Sequence, residues 1–381
     1  MDSLNDKLGK VAIIADQMTA FGGAEREMFS ILKLLPDADI FTITIDRSKF
    51  PQLKDFNVEV KTSFVQNFSK ILPKGFSRHL KILNPFAYES FNLEEYDYII
   101  SISAGPGKGV ITGVNQPHIA MVMTPPRSLW DKELNARASK LQFVYKAISN
   151  IINNYLRIWD YTTSKRIDYW TANSEYISKK IEKIYQKKAT VIHPGVEEKY
   201  FSKKISSTPG QYFLVLSRLY DHKRIDWAIR ACKEANKELL IIGEGPDKKY
   251  LQKIAKGCSN IRFFGFVSDD EVLEYYNKAQ ALIFCGLEDF GLVPVEAMAS
   301  GTPVLAYRDG GLLETVKKGI TGEFFKDENE LIKLLKNFDR SIYNGDVIRK
   351  HAYCFSEEKF LKNLEIFLLK VYEQEKAKKE L

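Results

Sequence analysis

The chain has 381 residues, of which 45% are hydrophobic and 28% charged, with a formal net charge of +7. That length exceeds one ordinary core and predicts two domains, and the composition is that of a folded globular protein rather than a disordered one. No apolar run reaches the roughly 18 residues of a membrane span; YDYIISISAG and AQALIFCGL come nearest and are strand-length. The N-terminal MDSLNDKLGK lacks the apolar centre of a signal peptide, so the expected location is cytoplasmic.

The charge is uneven: residues 1–195 hold 26 Lys+Arg against 20 Asp+Glu, and the remainder 30 against 29. Between Lys61 and Tyr88 stand five Lys/Arg and no acid, interleaved with Phe64, Phe68, Ile71, Leu72, Phe76 and Leu80. This composition suits a segment resting on an anionic membrane face, or equally a helix covering the core with its lysines in water; Pro73-Lys74-Gly75 breaks any single helix. Nucleic acid is not an expected partner, because the charge is local and no nucleic-acid signature accompanies it. Cys232, Cys258, Cys285 and Cys354 are far apart, without a C-x-x-C pair, and read as ordinary buried thiols.

In chain order, VAIIAD (11–16) is a strand, TAFGG a break and AEREMFSILKLL a helix. DIFTITID, YDYIISIS, HIAMVMT and DYWTANS are further β-branched or aromatic runs bounded by turn residues, with a long helical tract over about 139–163. TVIHPG closes this series, and VEEKYFSKKISSTPGQ reads as a linker. A second series follows: YFLVLSR, the helix RIDWAIRACKEA, ELLIIGEG, IRFFGFV, ALIFCG and PVLAYR, and finally the amphipathic helix of SEEKFLKNLEIFLLKVYEQEKAKKEL. Two β-α-β-α series predict two doubly wound parallel sheets. The divisions are 1–194, a linker at 195–210, 211–353 and a helix over 354–381. Ligands of such sheets bind beyond the carboxyl ends of the strands, so those ends hold the candidates.

Gly22 and Gly23 precede the first long helix, where they open its amides to an anion or merely make the turn. Arg218 ends YFLVLSR and Lys223 follows five residues later; two cations there fit a diphosphate, or are solvated surface charge. GEGPD (243–247) lacks the third glycine of the dinucleotide fingerprint, and SAGPGKGV (103–110) lacks the spacing of a phosphate loop. A dehydrogenase and an ATPase are therefore not expected. In EDFGLVPVEAMASG, Glu288 lies in a strand-to-helix loop and Glu296 inside the helix that Val293-Pro294 begins. The amides of Phe290, Gly291 and Leu292 favour an anion. A carboxylate beside them would repel phosphate, so hydroxyls are its natural partners. Ribose at one glutamate, a hexose at the other and a diphosphate between them describe a nucleotide-sugar site.

The stretch EDFGLVPVEAMASGTPVLAYRDGGLLETVKKGITG resembles the Glu-x7-Glu region of family 4 retaining glycosyltransferases. SRLYDHKRID, IIGEGPD, FGFVSDDEVLEYY, GGAER, PDADIFTITID, the HIAMVMTPPRSLWD region, WTANSEYISKKI and VIHPGV resemble it too, in the family's order, so nearly the whole chain is covered. The N-terminal half looks most like bacterial mannosyltransferases that build O-antigen and related polysaccharides. The resemblance implies a GT-B fold, two Rossmann-like domains facing across a cleft, and no metal or other cofactor. It implies transfer of a hexose, with GDP-mannose the expected donor and a UDP-sugar the alternative, to a glycan or lipid-linked glycan at the inner membrane face.

By matching positions, Arg218 and Lys223 would grip the diphosphate, with Gly22 and Gly23 approaching it from the other domain. Glu288 and the amides of Phe290, Gly291 and Leu292 would hold the donor sugar, and Glu296 the ribose. Gly243, Gly245 and the backbone near Val267 would line the base pocket. No residue is an evident nucleophile, so retention would come from same-face substitution, with Arg218, Lys223 and the amides stabilising the leaving group. One departure stands out: Met123 occupies a position where related sequences commonly carry histidine. Its presence implies an altered donor preference, a slower enzyme, or compensation on the acceptor side by Thr124, Arg127 or His118. It also leaves room for a catalytically silent partner that binds a nucleotide sugar.

Overall fold

The structure is a computed structural model and describes residues 4–67, 81–131, 143–206 and 210–380. It divides into two compact units, one made of Met1–His193 with Leu361–Leu381, the other of Pro194–Phe360.

The first unit holds a seven-stranded sheet: β1 (Val11–Ala15), β2 (Asp39–Thr42), β3 (Val60–Thr62), β4 (Tyr98–Ser103), β5 (His118–Val122), β6 (Tyr169–Ala172) and β7 (Thr190–Val191). Its order is β3-β2-β1-β4-β5-β6-β7 and every pairing is parallel. β1, β4 and β5 are buried at every residue, which is why their sequences are mostly β-branched and apolar rather than alternating with exposed polar residues; Ser101, Ser103 and His118 are the buried polar members.

The second unit holds six parallel strands: β8 (Tyr212–Leu216), β9 (Glu238–Ile242), β10 (Ile261–Phe264), β11 (Leu282–Phe284), β12 (Val304–Tyr307) and β13 (Gly322–Phe325), in the order β10-β9-β8-β11-β12-β13. Helices cover both faces of this sheet and divide its core in two. Local chemistry sets their starts: Ser268 and Glu271 form a reciprocal cap for Asp269–Lys278, and Asp327 caps Glu328–Lys336.

Both sheets reverse direction once. The chain moves outward from β1 through β2 to β3, then returns to place β4 on the other side of β1. In the second unit β11 likewise lands on the far side of β8. The strand ends at β1/β4 and β8/β11 are therefore the switch points where such sheets open a crevice.

Several expectations need correction. VEEKYFSKK is not a solvated linker: Val196, Tyr200 and Phe201 are buried in the second unit's core. Lys61 lies on edge strand β3, where its ammonium contacts the Tyr96 hydroxyl at 2.8 Å and Glu95 at 3.2 Å, so it is no free membrane cation. Residues 68–80 of the basic segment lie outside the described residues, and its end forms the helix Asn84–Glu89. Cys232 and Cys285 are buried, Cys258 half-buried and Cys354 exposed, so the buried-thiol reading holds for two of the four. The final helix runs Glu357–Lys379, and within the first unit the Tyr169 hydroxyl donates to Glu375 at 2.6 Å. Among the described residues no helix is long and apolar enough to cross a membrane.

Candidate active site

The second unit's switch point is built by two loops. After β8 the chain turns through Asp221–Lys223, and after β11 it runs through Cys285–Gly291 into the helix Leu292–Ala299. Gly286 lets them close together, since a Cβ there would lie 3.2 Å from Lys223 Cδ and 3.3 Å from its Cα. The result is an ion pair between Lys223 Nζ and Glu288 Oε1, with the two side chains 11% and 20% exposed. From the sequence these groups had separate partners, a phosphate for Lys223 and sugar hydroxyls for Glu288; the structure joins them. The ammonium has three protons and the carboxylate two oxygens, so the pair keeps donors and lone pairs for a ligand. Arg218, in the same loop after β8, is exposed, its guanidinium 5.9 Å from the Tyr220 ring.

Gly291 starts the helix with φ +95, a conformation that strains any L side chain, and the amides of the first turn face outward without intrahelical acceptors. The helix begins at Leu292, one residue before the expected start, and Pro294 sits in its first turn where no N–H is needed. Phe290 is buried, with its ring edge-on to Phe355 at 5.6 Å. Behind this loop Gly310 and Gly311 pack backbone to backbone: the Gly311 amide donates to Glu288 O at 2.9 Å, and a Cβ on Gly310 would meet that same oxygen at 2.3 Å. Their role was not read from the sequence, although a Gly-Gly pair in the loop after a strand is a signal for close approach.

Gly243 and Gly245 follow β9 and touch the loop after β8. Added Cβ atoms would lie 2.0 Å from Ser217 O and 2.3 Å from Leu219 O, so these positions admit only glycine. Val267, beyond β10, packs partly buried against the core. Glu296 is 5% exposed, and its carboxylate accepts a hydrogen bond from the Tyr276 hydroxyl at 3.0 Å. The structure thus brings Lys223 and Glu288 together and sets Glu296 one helical segment deeper, held by a tyrosine that sequence reading did not single out.

The first unit's switch point is differently filled. Asp16, just beyond β1, accepts hydrogen bonds from the Ala104 amide at 2.7 Å, the Gly107 amide at 2.9 Å and the Ser103 hydroxyl at 3.2 Å. SAGPGKG is therefore an anion-binding nest occupied by the protein's own carboxylate. Burial pushes the Asp16 carboxyl above the ordinary range, and the bonds from Gly107 and Ala104 pull it back. Lys108 of the same loop is 1% exposed and pairs with the equally buried Asp160. Asp160 also accepts from Tyr185 Oη at 2.6 Å and Trp130 Nε1 at 2.8 Å.

That network braces the loop after β5. Met123 directly follows the strand and is partly buried, its amide bonded to Ser103 O at 2.9 Å; Thr124 is buried and Arg127 begins the short helix Arg127–Trp130. His118 begins β5, at the opposite end from Met123, so it cannot substitute for a side chain there. It is fully buried with Nε2 2.9 Å from Ser101 Oγ, and burial lowers its pKa to about 3. Gly22 caps the helix Gly23–Leu34 in extended conformation without a side-chain bond. Among the described residues no three His, Cys, Asp or Glu side chains converge as a metal site would require.

Residues 196–341 match the family model described as Glycosyl transferases group 1. An uncharacterized glycosyltransferase of Methanocaldococcus jannaschii is 29% identical over 53% of this chain and 58% of its own length. The alpha-monoglucosyldiacylglycerol synthase of Acholeplasma laidlawii is 28% identical over 43% of this chain and 45% of its own length. The chain thus spans about half the length of these curated relatives. Among solved structures, Anabaena HepE in complex with UDP superimposes with a TM-score of 0.69 at 16% identity, covering 95% of this chain and 100% of that one. Two parallel-sheet units and this likeness give the fold class as GT-B.

Proposed function

We propose that the protein is a retaining glycosyltransferase that moves a hexose from a nucleotide sugar to a glycan or lipid-linked glycan. The observation that carries this reading is the Lys223–Glu288 pair at the β8/β11 switch point, beside exposed Arg218 and the start of the helix Leu292–Ala299. An ion pair, the exposed Arg218 and the first-turn amides of Leu292 and Val293 suit a ligand that is anionic at its centre and hydroxylated at its ends. Arg218, Lys223 and the amides take up charge as the nucleoside diphosphate leaves, while Glu288 orients the sugar through its hydroxyls. Glu296, its carboxylate oriented by the Tyr276 hydroxyl, is the residue proposed to face the ribose. The leaving phosphate takes the acceptor's proton, so the reading needs neither a protein nucleophile nor a metal ion.

For the donor, residue resemblance favours GDP-mannose. A UDP-hexose is the second reading, favoured by HepE, whose solved complexes include UDP-glucose, and by the glucosyl transfer named for the A. laidlawii relative. The test is a donor screen with GDP- and UDP-hexoses, with and without membrane extract, scored for release of the nucleoside diphosphate. Turnover of one donor supports the reading and settles the nucleotide. Tight binding of a donor with no turnover under any condition would instead make the chain a silent binding partner.

A further inference from the structure

Of the Phe, Tyr and Trp side chains described, none is as exposed as Phe266, at 91%. It stands in the loop that leaves β10, at the carboxyl end of the second unit's sheet, where the candidate site lies. Its neighbours hold that loop in place. Phe264 packs against the core with its ring 5.5 Å from that of Tyr275. Val267 packs against the same core as Leu292 and Val293 of the helix that starts at the site. Ser268 then caps the helix Asp269–Lys278. With the residues on both sides anchored, the chain leaves the Phe266 ring standing outward.

The same loop is tied to the glycine-rich loop after β9. The Gly243 amide donates to Gly265 O at 3.2 Å and to Phe264 O at 3.3 Å, and a Cβ on Gly265 would lie 2.8 Å from Glu244 Oε1. Glu244 is itself paired with Lys248 at 2.5 Å, so its charge is answered within its own segment. In the sheet, β9 separates β10 from β8, the strand that Arg218 and Lys223 follow. Two strand spacings, about 10 Å, therefore lie between them. Gly243 and Gly245, at the end of the intervening strand, place no side chain along that path.

We infer that Phe266 is a stacking platform for an aromatic base, so that the donor is a nucleotide sugar rather than a base-free sugar phosphate. The inference rests on the transferase reading above and adds a residue to it. With the phosphates at Arg218 and Lys223, the nucleoside extends across the glycines after β9 and its base meets the Phe266 ring beyond β10. An exposed apolar ring alone would suit many partners. This one is fixed on the rim of the site, one nucleoside's reach from its cations, and a flat ring matches the flat face of a base. Tyr276, which orients Glu296, lies on the helix that this loop begins. The residues proposed for ribose and base thus belong to two helices bonded to each other. Stacking is tolerant of the base presented, so Phe266 supplies affinity without choosing between guanine and uracil.

Calorimetric titration of wild type, Phe266→Ala, Phe266→Leu and Phe266→Tyr with GDP, UDP and inorganic pyrophosphate tests it. With so little of the ring buried, every variant is expected to keep the wild-type thermal midpoint. Phe266→Ala is expected to lower affinity for GDP and for UDP about tenfold or more and to leave pyrophosphate binding unchanged. Phe266→Tyr should bind both nucleotides as wild type does. Phe266→Leu, apolar but without a flat face, should bind them as weakly as Phe266→Ala. Undiminished nucleotide binding by Phe266→Ala overturns this inference alone, as does full rescue by leucine or an equal loss for pyrophosphate. A wild-type chain that binds neither nucleotide overturns the transferase reading and this inference with it.

Discussion

Lys223 and Glu288, 65 residues apart in sequence, form an ion pair at the point where the second unit's sheet changes direction. The pair is partly exposed, so its own stabilisation is modest, about 1 kcal/mol or less in a double-mutant cycle. Its consequence lies in binding. Glu288→Gln is expected to leave affinity for the nucleoside diphosphate unchanged or higher, because a negative charge beside the phosphates is gone, yet to cut transfer by about 100-fold or more. Lys223→Ala is expected to lower both. Calorimetric titration and a transfer assay on the two variants separate these outcomes; near-normal transfer by both would remove the site from this switch point.

Gly243 and Gly245 make a second, structural prediction. With φ +136 and Ser217 O where a Cβ would stand, Gly243→Ala forces backbone apart rather than a side chain aside. Gly245→Ala meets Leu219 O in the same way. Each is expected to cost roughly 2–4 kcal/mol, read as a lower thermal midpoint. Gly257→Ala, with φ +83 but nothing within 4 Å, is the control and should cost less.

How legible this was depended on whether the deciding interaction was local. β1, β4, β5, β8 and β9 declare themselves as buried apolar runs, and the glycines after β9 announce a close approach. Edge strands β3 (VKT) and β13 (GEFF) were not read, because short strands with one partner mix polar and apolar residues and leave no run. SAGPGKG was rightly rejected as a phosphate loop. What fills it, Asp16, stands 88 residues from Ala104, and only the β1–β4 pairing brings them together. Lys223 and Glu288 were both named from the sequence, but strand-end residues of different β-α units carry no local sign that they touch.

The Lys108–Asp160 pair yields a third prediction. Both side chains are 1% exposed, and Asp160 also holds Trp130 and Tyr185. Asp160→Ala leaves a buried ammonium without its counter-charge and is expected to cost about 3–5 kcal/mol. Lys108→Met/Asp160→Leu, which removes both charges, is expected to recover a large part of that. Because Trp130 ends the helix after Met123 and Thr124, the rescued variant should still transfer poorly, a separation that thermal melts and rate measurements resolve.

The fourth prediction concerns pH. His118 is neutral in the fold, with burial lowering its pKa to about 3, whereas unfolded it binds a proton near 6.5. Its contribution is therefore intact above 6.5 and lost as pH falls toward 3, at ~1.4 kcal/mol per pH unit. Glu27 acts oppositely. It is 6% exposed, its Oε2 lacks a hydrogen-bond partner among the described residues, and burial raises its pKa to about 8 from 4.5. The folded state holds that proton between 4.5 and 8 while the unfolded state releases it, so stability falls as pH rises through this window. Between 4.5 and 6.5 the slopes of His118 and Glu27 oppose each other. From 6.5 to 8 the His118 slope is gone while Glu27 still releases its proton, so the thermal midpoint should decline. Glu27→Gln keeps the shape and removes the titration: its midpoint should exceed wild type at pH 8, and the gap should close by pH 4.5. A constant offset between the two proteins across that range would show that the Glu27 carboxyl is already paired in the fold.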